Sequence, residues 1–381
     1  MNILMICTEK LPVPNIRGGA IQTYIDGVST MLAQHHRLTI LGRTDPALPA
    51  EQQIGAVRYI RVPSEGIFDI YAQNVVQYLL GSGEQYDLIH IFNRPRLVLP
   101  VRQAAPRSRI ILSMHNDMFE PGKIDRAEAS AAIEQTERII TISNYIGQRI
   151  ASLYPQAQPK LRRIYSGVDL SRYAPWLESE EARRVREAVR DRYGLTSRKV
   201  ILFVGRLSRN KGPHVLVRAM WQLRHPDATL VIVGGAGYSD NSVSDYIAYL
   251  RALAARSPTP VITTGYIPAQ EVYRWFNAAD LFVCTSIWNE PLARVHYEAM
   301  ASGLPFITTA RGGNPEVVTG DNGLLVHDPE NPLEYANVLN ELLSDPGRAQ
   351  RMGLNGRRMV EQHFTWPRVA QEIQGVWEQW L

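Results

Sequence analysis

Residues 280–310 read DLFVCTSIWNEPLARVHYEAMASGLPFITTA. The stretch opens on an apolar run, DLFVCTS (280–286), and closes on another, PFITTA (305–310). Both have the composition of strands buried on two faces. Between them Pro291 stands where a first helical residue is expected, and Gly303 with Pro305 ends the helix about 12 residues later. Strand, helix and strand in one pass form a βαβ unit, whose crossover makes the two strands parallel.

The same rhythm runs outward from this unit. KVILFVG (199–205), TLVIVGG (229–235) and PVITTG (260–265) precede it as strands, each separated from the next by a helical stretch. The first half repeats the pattern with NILMIC (2–7), HRLTILG (36–42), VRYIRV (57–62), DLIHIF (87–92), RIILSMH (109–115) and RIITIS (138–143). A helical pattern spans Ala20 to about Gln34. This alternation predicts an α/β fold with parallel sheets covered by helices, and chemistry at the carboxyl ends of the strands. YSGVD (165–169) reads as a hinge. Two Rossmann-like domains facing a cleft are therefore expected. The first covers 1–168 and is completed by the C-terminal helix at about 366–381; the second covers 169–365. In that tail, FTWPRVAQEIQGVWEQWL, Thr365 is a candidate N-cap and Pro367 a first-turn residue. ESEEARRVREAVRDRYG (178–194) is charged throughout and reads as a solvated surface helix.

Composition narrows the class of function. The 381 residues are 45% hydrophobic and 20% charged, as in ordinary globular domains. A net charge of +4 suits anionic small molecules or an acidic surface and is too small to argue for nucleic acid. MNILMICTEKLP lacks the basic leader and cleavage site of a signal peptide. No run approaches the roughly 18 apolar residues of a membrane span. The two cysteines, Cys7 and Cys284, lie in apolar runs and read as buried thiols in a reducing cytoplasm. Neither they nor the scattered histidines have metal-ligand spacing. Only five lysines occur, at 10, 123, 160, 199 and 211, so each is less expected than an arginine.

Four stretches carry candidate chemistry. In WNEPLARVHYEAM (288–300) a helix starting at Pro291 would turn the amides of Leu292, Ala293 and Arg294 towards an anion. Glu290 and Glu298 lie eight residues apart, about 12 Å at ~1.5 Å per helical residue, which suits hydroxylated rings at either end of a diphosphate. The spacing equally admits Glu290 as a cap and Glu298 as an exposed acid. In VGRLSRNKGPH (204–214), Arg206 and Lys211 flank a strand-to-helix loop without the Gly-Lys-Ser/Thr of a P-loop, and they suit a diphosphate or plain surface charge. Gly18 and Gly19 precede the first helix and permit close backbone approach, or a simple turn. His115 ends a strand and serves either structure or a sugar hydroxyl. GGAGYSD (234–240), TGYIP (264–268) and RGGNPE (311–316) follow strands and read first as turn chemistry, the first two also as walls of a nucleobase pocket. The fingerprint G-x-G-x-x-G is absent, so a nicotinamide or flavin cofactor is not expected.

Together these stretches resemble the family 4 retaining glycosyltransferases of the GT-B fold. NEPLARVHYEAMASGLP resembles their E-x7-E motif, CTEKLPVPNIRGGAIQTY their N-terminal glycine loop, FVGRLSRNKGPH their Arg/Lys diphosphate loop, and YSGVD their interdomain segment. GGNPEVV followed by NGLLVHD is similar to their late C-terminal signature. EKLPVP, NRP, YIGQ and EPLARVHYEAMA are similar, more narrowly, to the spore-coat-associated glycosyltransferases of bacilli. The resemblance implies transfer of a hexosyl group from a nucleoside diphosphate sugar, a UDP-sugar foremost, to a hydroxyl acceptor. It implies that Glu298 holds the ribose, Glu290 the donor hexose, and Arg206 with Lys211 the diphosphate. Gly18 and Gly19 would approach phosphate or sugar, His115 the anomeric centre, and backbone at Tyr266 and Ile267 the base. No Asp-x-Asp occurs, and neither metal nor cofactor is implied. Arg294 and Ser166 depart from the family pattern, the first bearing on the donor and the second on the hinge. A sugar-nucleotide epimerase on the same fold and a non-catalytic coat protein are the alternatives. Peripheral membrane or spore-coat association is compatible with a cytoplasmic enzyme, although the basic stretch PVRQAAPRSR (100–109) reads as a solvated loop.

Overall fold

The computed structural model describes residues 1–237 and 240–380. The chain divides into two compact units, Met1–Gly167 with Trp366–Leu381, and Val168–Thr365. Tyr238 and Ser239, within the stretch read as a base pocket, and Leu381 in the tail lie outside the described residues.

The first unit holds strands β1 (Asn2–Ile6), β2 (Arg37–Arg43), β3 (Glu51–Ile54), β4 (Val57–Val62), β5 (Leu88–Phe92), β6 (Arg109–Met114), β7 (Arg138–Thr141) and β8 (Leu161–Arg163). They form one sheet in the order β3-β4-β2-β1-β5-β6-β7-β8. All neighbours are parallel except β3 on β4. The central strands are buried along their length, which is why they read as unbroken apolar runs rather than alternating ones. Helix Ala20–Leu32 turns Ile21, Tyr24, Ile25, Val28 and Leu32 inward. Helix Trp366–Trp377 packs against that face with Val369, Ala370, Ile373, Val376 and Trp377 in the same core. The last helix thus completes the first unit's core.

The second unit holds β9 (Lys199–Val204), β10 (Ala228–Val233), β11 (Val261–Gly265), β12 (Leu281–Val283), β13 (Phe306–Thr309) and β14 (Gly323–Val326). Their order, β11-β10-β9-β12-β13-β14, is wholly parallel. The chain winds outward from β9 in one direction and then from β12 in the other. The strand order thus reverses between β9 and β12, and ligand crevices in sheets of this kind open at such a switch point.

Three strands are not among those expected from the sequence. EQQI of β3, LRR of β8 and GLLV of β14 are short and lie at sheet edges, where little or only one face is buried. The stretch 100–109 is not a solvated loop: helix Val98–Ala104 occupies its first half, Val101 is buried, and Arg109 begins β6. Both cysteines are free and buried. Among the described residues no helix is long and apolar enough to cross a membrane.

The charged helix, Glu180–Arg192, is also not solvated all round. Arg186 donates to the carbonyls of Asn277 and Ala279, and Arg190 to that of Ala278. Both guanidinium groups meet the carboxylate of Asp280, which also accepts from Val200 N at 2.7 Å. Arginine at an (i, i+4) spacing thus forms the inner stripe, capping the last carbonyls of helix Tyr273–Ala278. Asp280→Ala strands two partly buried guanidinium groups. It is expected to lower the stability of the second unit by about 2–3 kcal/mol, read as a drop in the urea midpoint; an unchanged midpoint would show the pair to be idle.

Candidate functional site

The loops that leave β9, β12 and β13 are locked together by backbone contacts only glycine permits. After β9 the chain runs through a 3-10 turn, Arg209–Lys211, to Gly212 and helix Pro213–Ala219. Gly212 has φ 67°, and a Cβ there would stand 2.2 Å from the carbonyl oxygen of Thr285, in the loop after β12. That contact is stitched by Thr285 Oγ1 donating to Lys211 O at 2.6 Å and Ile287 N to Asn210 O at 2.8 Å. After β13, Gly312 has φ 56° and would put a Cβ 2.0 Å from the carbonyl oxygen of Glu290. Gly313 N donates to that oxygen at 2.8 Å, and Thr309 Oγ1 to Ser286 O at 2.7 Å. RGGNPE is turn chemistry, as its composition suggests, and the turn fixes the backbone of Glu290.

These loops bring Lys211 and Glu290 together. The ammonium reaches both carboxylate oxygens, Oε1 at 2.6 Å and Oε2 at 2.8 Å. Ser286 Oγ donates to Oε2 at 2.6 Å and Trp288 Nε1 at 3.0 Å. Glu290 is 6% exposed. Burial pushes its carboxyl up, but the Lys211 charge and hydrogen bonds, with that of Ser286, hold it below the ordinary glutamate range. Glu290 is therefore a buried anion at the switch point and not a helix cap. Ser286 and Trp288 were not singled out from sequence; they stand four and two positions before Glu290 in one loop, and only the fold aims both at its carboxylate. Arg206, exposed, begins the loop that ends at Lys211.

The helix expected from Pro291 begins at Val295 and runs to Ala301. His296 explains the delay. Its ring bonds the carbonyl of Ala293 at 2.8 Å and Thr308 Oγ1 at 2.6 Å, while Ala293 N donates to Asn314 Oδ1 at 3.3 Å. The segment 291–294 is thereby tied to the loop after β13 instead of coiling. Leu292 and Ala293 are core positions, and the amide of Ala293 is committed to Asn314. The anion-binding helix start at Pro291 and the helical 12 Å estimate are both corrected by this. Glu298 falls in the first turn, with Arg294 at 3.9 Å. Burial raises its carboxyl above the ordinary value, more than Arg294 and Arg172 lower it.

Tyr266 and Ile267 follow β11, and Tyr266 N donates to Asn241 Oδ1 at 2.7 Å. Gly18, Gly19 and His115 belong to the first unit. Gly18 N donates to Asn15 Oδ1 at 2.6 Å, so the loop's own asparagine takes that amide. Gly19 forms the N-cap of helix Ala20–Leu32 with φ 105°. His115 is buried after β6, edge-on to Tyr24 with ring centroids 4.8 Å apart. Its backbone is set by Asn93, at φ 55°, whose Oδ1 accepts from His115 N at 3.0 Å and Asn116 N at 2.9 Å. Beside it a buried pair not read from the sequence joins Arg94 to Glu9 at 2.6 and 2.8 Å. Among the described residues no group of three or more His, Cys, Asp or Glu is placed to hold a metal ion.

Comparison with known proteins agrees with this fold. Residues 185–359 match the family model for glycosyl transferases group 1, and residues 18–172 that for glycosyltransferase family 4. The chain is 43% identical to spore coat protein SA of Bacillus subtilis (strain 168), covering 99% of each. YtcC of the same organism is 42% identical across 99% of this chain and 92% of its own. Among solved structures, Anabaena Alr3699/HepE in complex with UDP-glucose aligns with a TM-score of 0.78 at 22% identity, covering 99% of each chain. Sucrose-phosphate synthase from Thermosynechococcus elongatus aligns at 0.80 with 24% identity, covering 99% of this chain and 98% of that one. At such identities the two structures speak for the fold.

Glu298 has a measurable cost. Because its folded carboxyl titrates above the ordinary value, its contribution to stability is full below that value and is lost as pH rises through the raised one. Glu298→Gln is therefore expected to raise Tm by about 2–4 °C at pH 8 and to leave it unchanged at pH 4. Equal shifts at both pH values in differential scanning calorimetry would contradict an unfavourably buried carboxylate.

Proposed function

The chain belongs to the family 4 glycosyltransferases and carries their GT-B fold, and from that premise we propose that it is a retaining hexosyltransferase using a nucleoside diphosphate sugar. The observation that carries the reading is the Lys211–Glu290 pair at the carboxyl ends of β9 and β12. A buried carboxylate held against an ammonium at the switch point of a parallel sheet is where a charged ligand of such a fold docks. In this reading Lys211 and Arg206 carry the negative charge of the diphosphate. Glu298 accepts from ribose hydroxyls, Glu290 fixes Lys211 and borders the hexose, and the backbone at Tyr266 and Ile267 meets the base. Alr3699/HepE is described in complex with UDP-glucose and in complex with UDP. That favours a UDP-sugar as the donor here. The first unit takes the hydroxyl acceptor.

The chemistry proposed needs no side-chain nucleophile. The bond from the anomeric carbon to the diphosphate oxygen breaks as the acceptor oxygen bonds that carbon on the same face. The acceptor proton passes to the leaving phosphate oxygen, so configuration is kept. The cations beside the diphosphate stabilise the charge that grows on it, and they do so most strongly where water is excluded. We place the enzyme in the cytoplasm, in spore-coat or cell-surface glycan synthesis, on its likeness to spore coat protein SA.

A thermal-shift screen with UDP, GDP, ADP and their sugars tests the donor class. UDP is expected to raise Tm most, and donor hydrolysis in the presence of EDTA is expected to proceed at the rate without it. Lys211→Ala and Arg206→Ala are each expected to lower donor turnover by about 10²-fold or more, the size of effect seen when one stabilising donor is removed. Near-normal turnover in both would reject their assignment. Isomerised nucleotide-sugar released from donor alone would point to an epimerase instead.

A further inference from the structure

The carboxylate of Glu290 is crowded with donors. Among the described residues Oε1 receives Lys211 alone, while Oε2 receives Lys211, Ser286 and Trp288. Two of the three ammonium N–H groups of Lys211 are spent on this carboxylate, leaving one to point beyond the pair. Trp288 also sets its indole ring beside the ammonium, with Nζ 5.8 Å from the ring centroid. Its backbone is anchored by the neighbouring bond from Ile287 N to Asn210 O, within the loop that carries Lys211. The indole therefore touches both members of the pair and is only half-buried itself.

We propose that Trp288 is a positioning residue of the donor site, clamping Glu290 through its indole N–H so that the carboxylate presents Lys211 with one N–H aimed at the donor's diphosphate. This rests on the donor-site reading above. An ammonium on a four-carbon stem has many rotamers. A bidentate grip on a carboxylate that is itself held by Ser286 and Trp288 selects among them. Without the indole N–H, Oε2 keeps only Lys211 and Ser286, and the carboxylate is held less tightly about its last torsion. The ammonium then follows it away from the direction in which it serves. A donor site loosened in this way loses turnover more than affinity, because the diphosphate gathers its extra charge during the reaction.

The test is a double-mutant cycle read on turnover of the nucleotide-sugar that shifts Tm most, with UDP affinity measured by calorimetry. Trp288→Phe keeps the ring and removes the N–H. It is expected to lower kcat about tenfold while changing UDP affinity less than about threefold. In a Lys211→Ala background the same change is expected to cost less than about twofold, since the group it positions is gone. Ser286→Ala, which removes the other clamp on Oε2, is expected to show the same non-additivity and carries the test alone if Trp288→Phe does not fold. Wild-type turnover in Trp288→Phe, or an equal loss with and without Lys211, overturns the proposal. Wild-type UDP affinity and turnover in Lys211→Ala would instead overturn the donor-site reading beneath it, as would a wild-type chain that neither binds UDP nor turns over any nucleotide-sugar.

Discussion

The second unit is organised around an ammonium and a carboxylate that meet where the strand order of its sheet reverses. Desolvating two charges costs several kcal/mol per ion, and attraction recovers it only when the geometry is good and the remaining lone pairs are satisfied. Here both conditions are met by side chains the loops supply: Ser286 and Trp288 on the carboxylate, and backbone contacts at Gly212 and Gly312 that let three loops close on one point. A well-packed apolar pair would stabilise such a spot at least as well. Keeping a charged pair there suits the diphosphate ligand proposed above.

The chain that follows Glu290 is irregular for a reason of its own. Residues 291–294 form no helix because Ala293 is tied at its amide to Asn314 and at its carbonyl to the ring of His296. The cost is a turn of helix; the result is a rigid support behind Glu290. In the first unit the comparable support is Asn93, whose side chain fixes the turn that carries His115, next to the buried Glu9–Arg94 pair. Glu290 and His115 both sit on loops, and those loops are held by polar side chains rather than by secondary structure.

The parallel strands were legible because they are buried on both faces and so appear as runs of β-branched and aliphatic residues. β3 and β8 were not, since EQQI and LRR at the sheet edges bury too little to leave such a run, and β14, GLLV, is apolar but only four residues long. Glu290 and Lys211 could be singled out as chemistry, but not as partners, because they are 79 positions apart and only the sheet order makes their loops adjacent. The late helix start shows the opposite failure. Pro291 is a sound local signal for a first helical residue, and it was overruled by His296 and Asn314, which act from the tertiary fold. Arg186 and Arg190 misled in a similar way: charge on a helix usually marks its wet side, yet here it seals the end of another helix.

The helix Trp366–Trp377 has a consequence for how the protein is made. It supplies Val369, Ile373 and Trp377 to a core whose other members lie before residue 168. Roughly 200 residues must be translated between the two, which takes about 10–40 s at ordinary ribosomal rates. During that interval the apolar side of helix Ala20–Leu32 lacks its cover, while the second unit is being made. The first unit, begun earliest, thus completes its core only after the second has been synthesised, and its apolar face is the one a nascent-chain chaperone would shield.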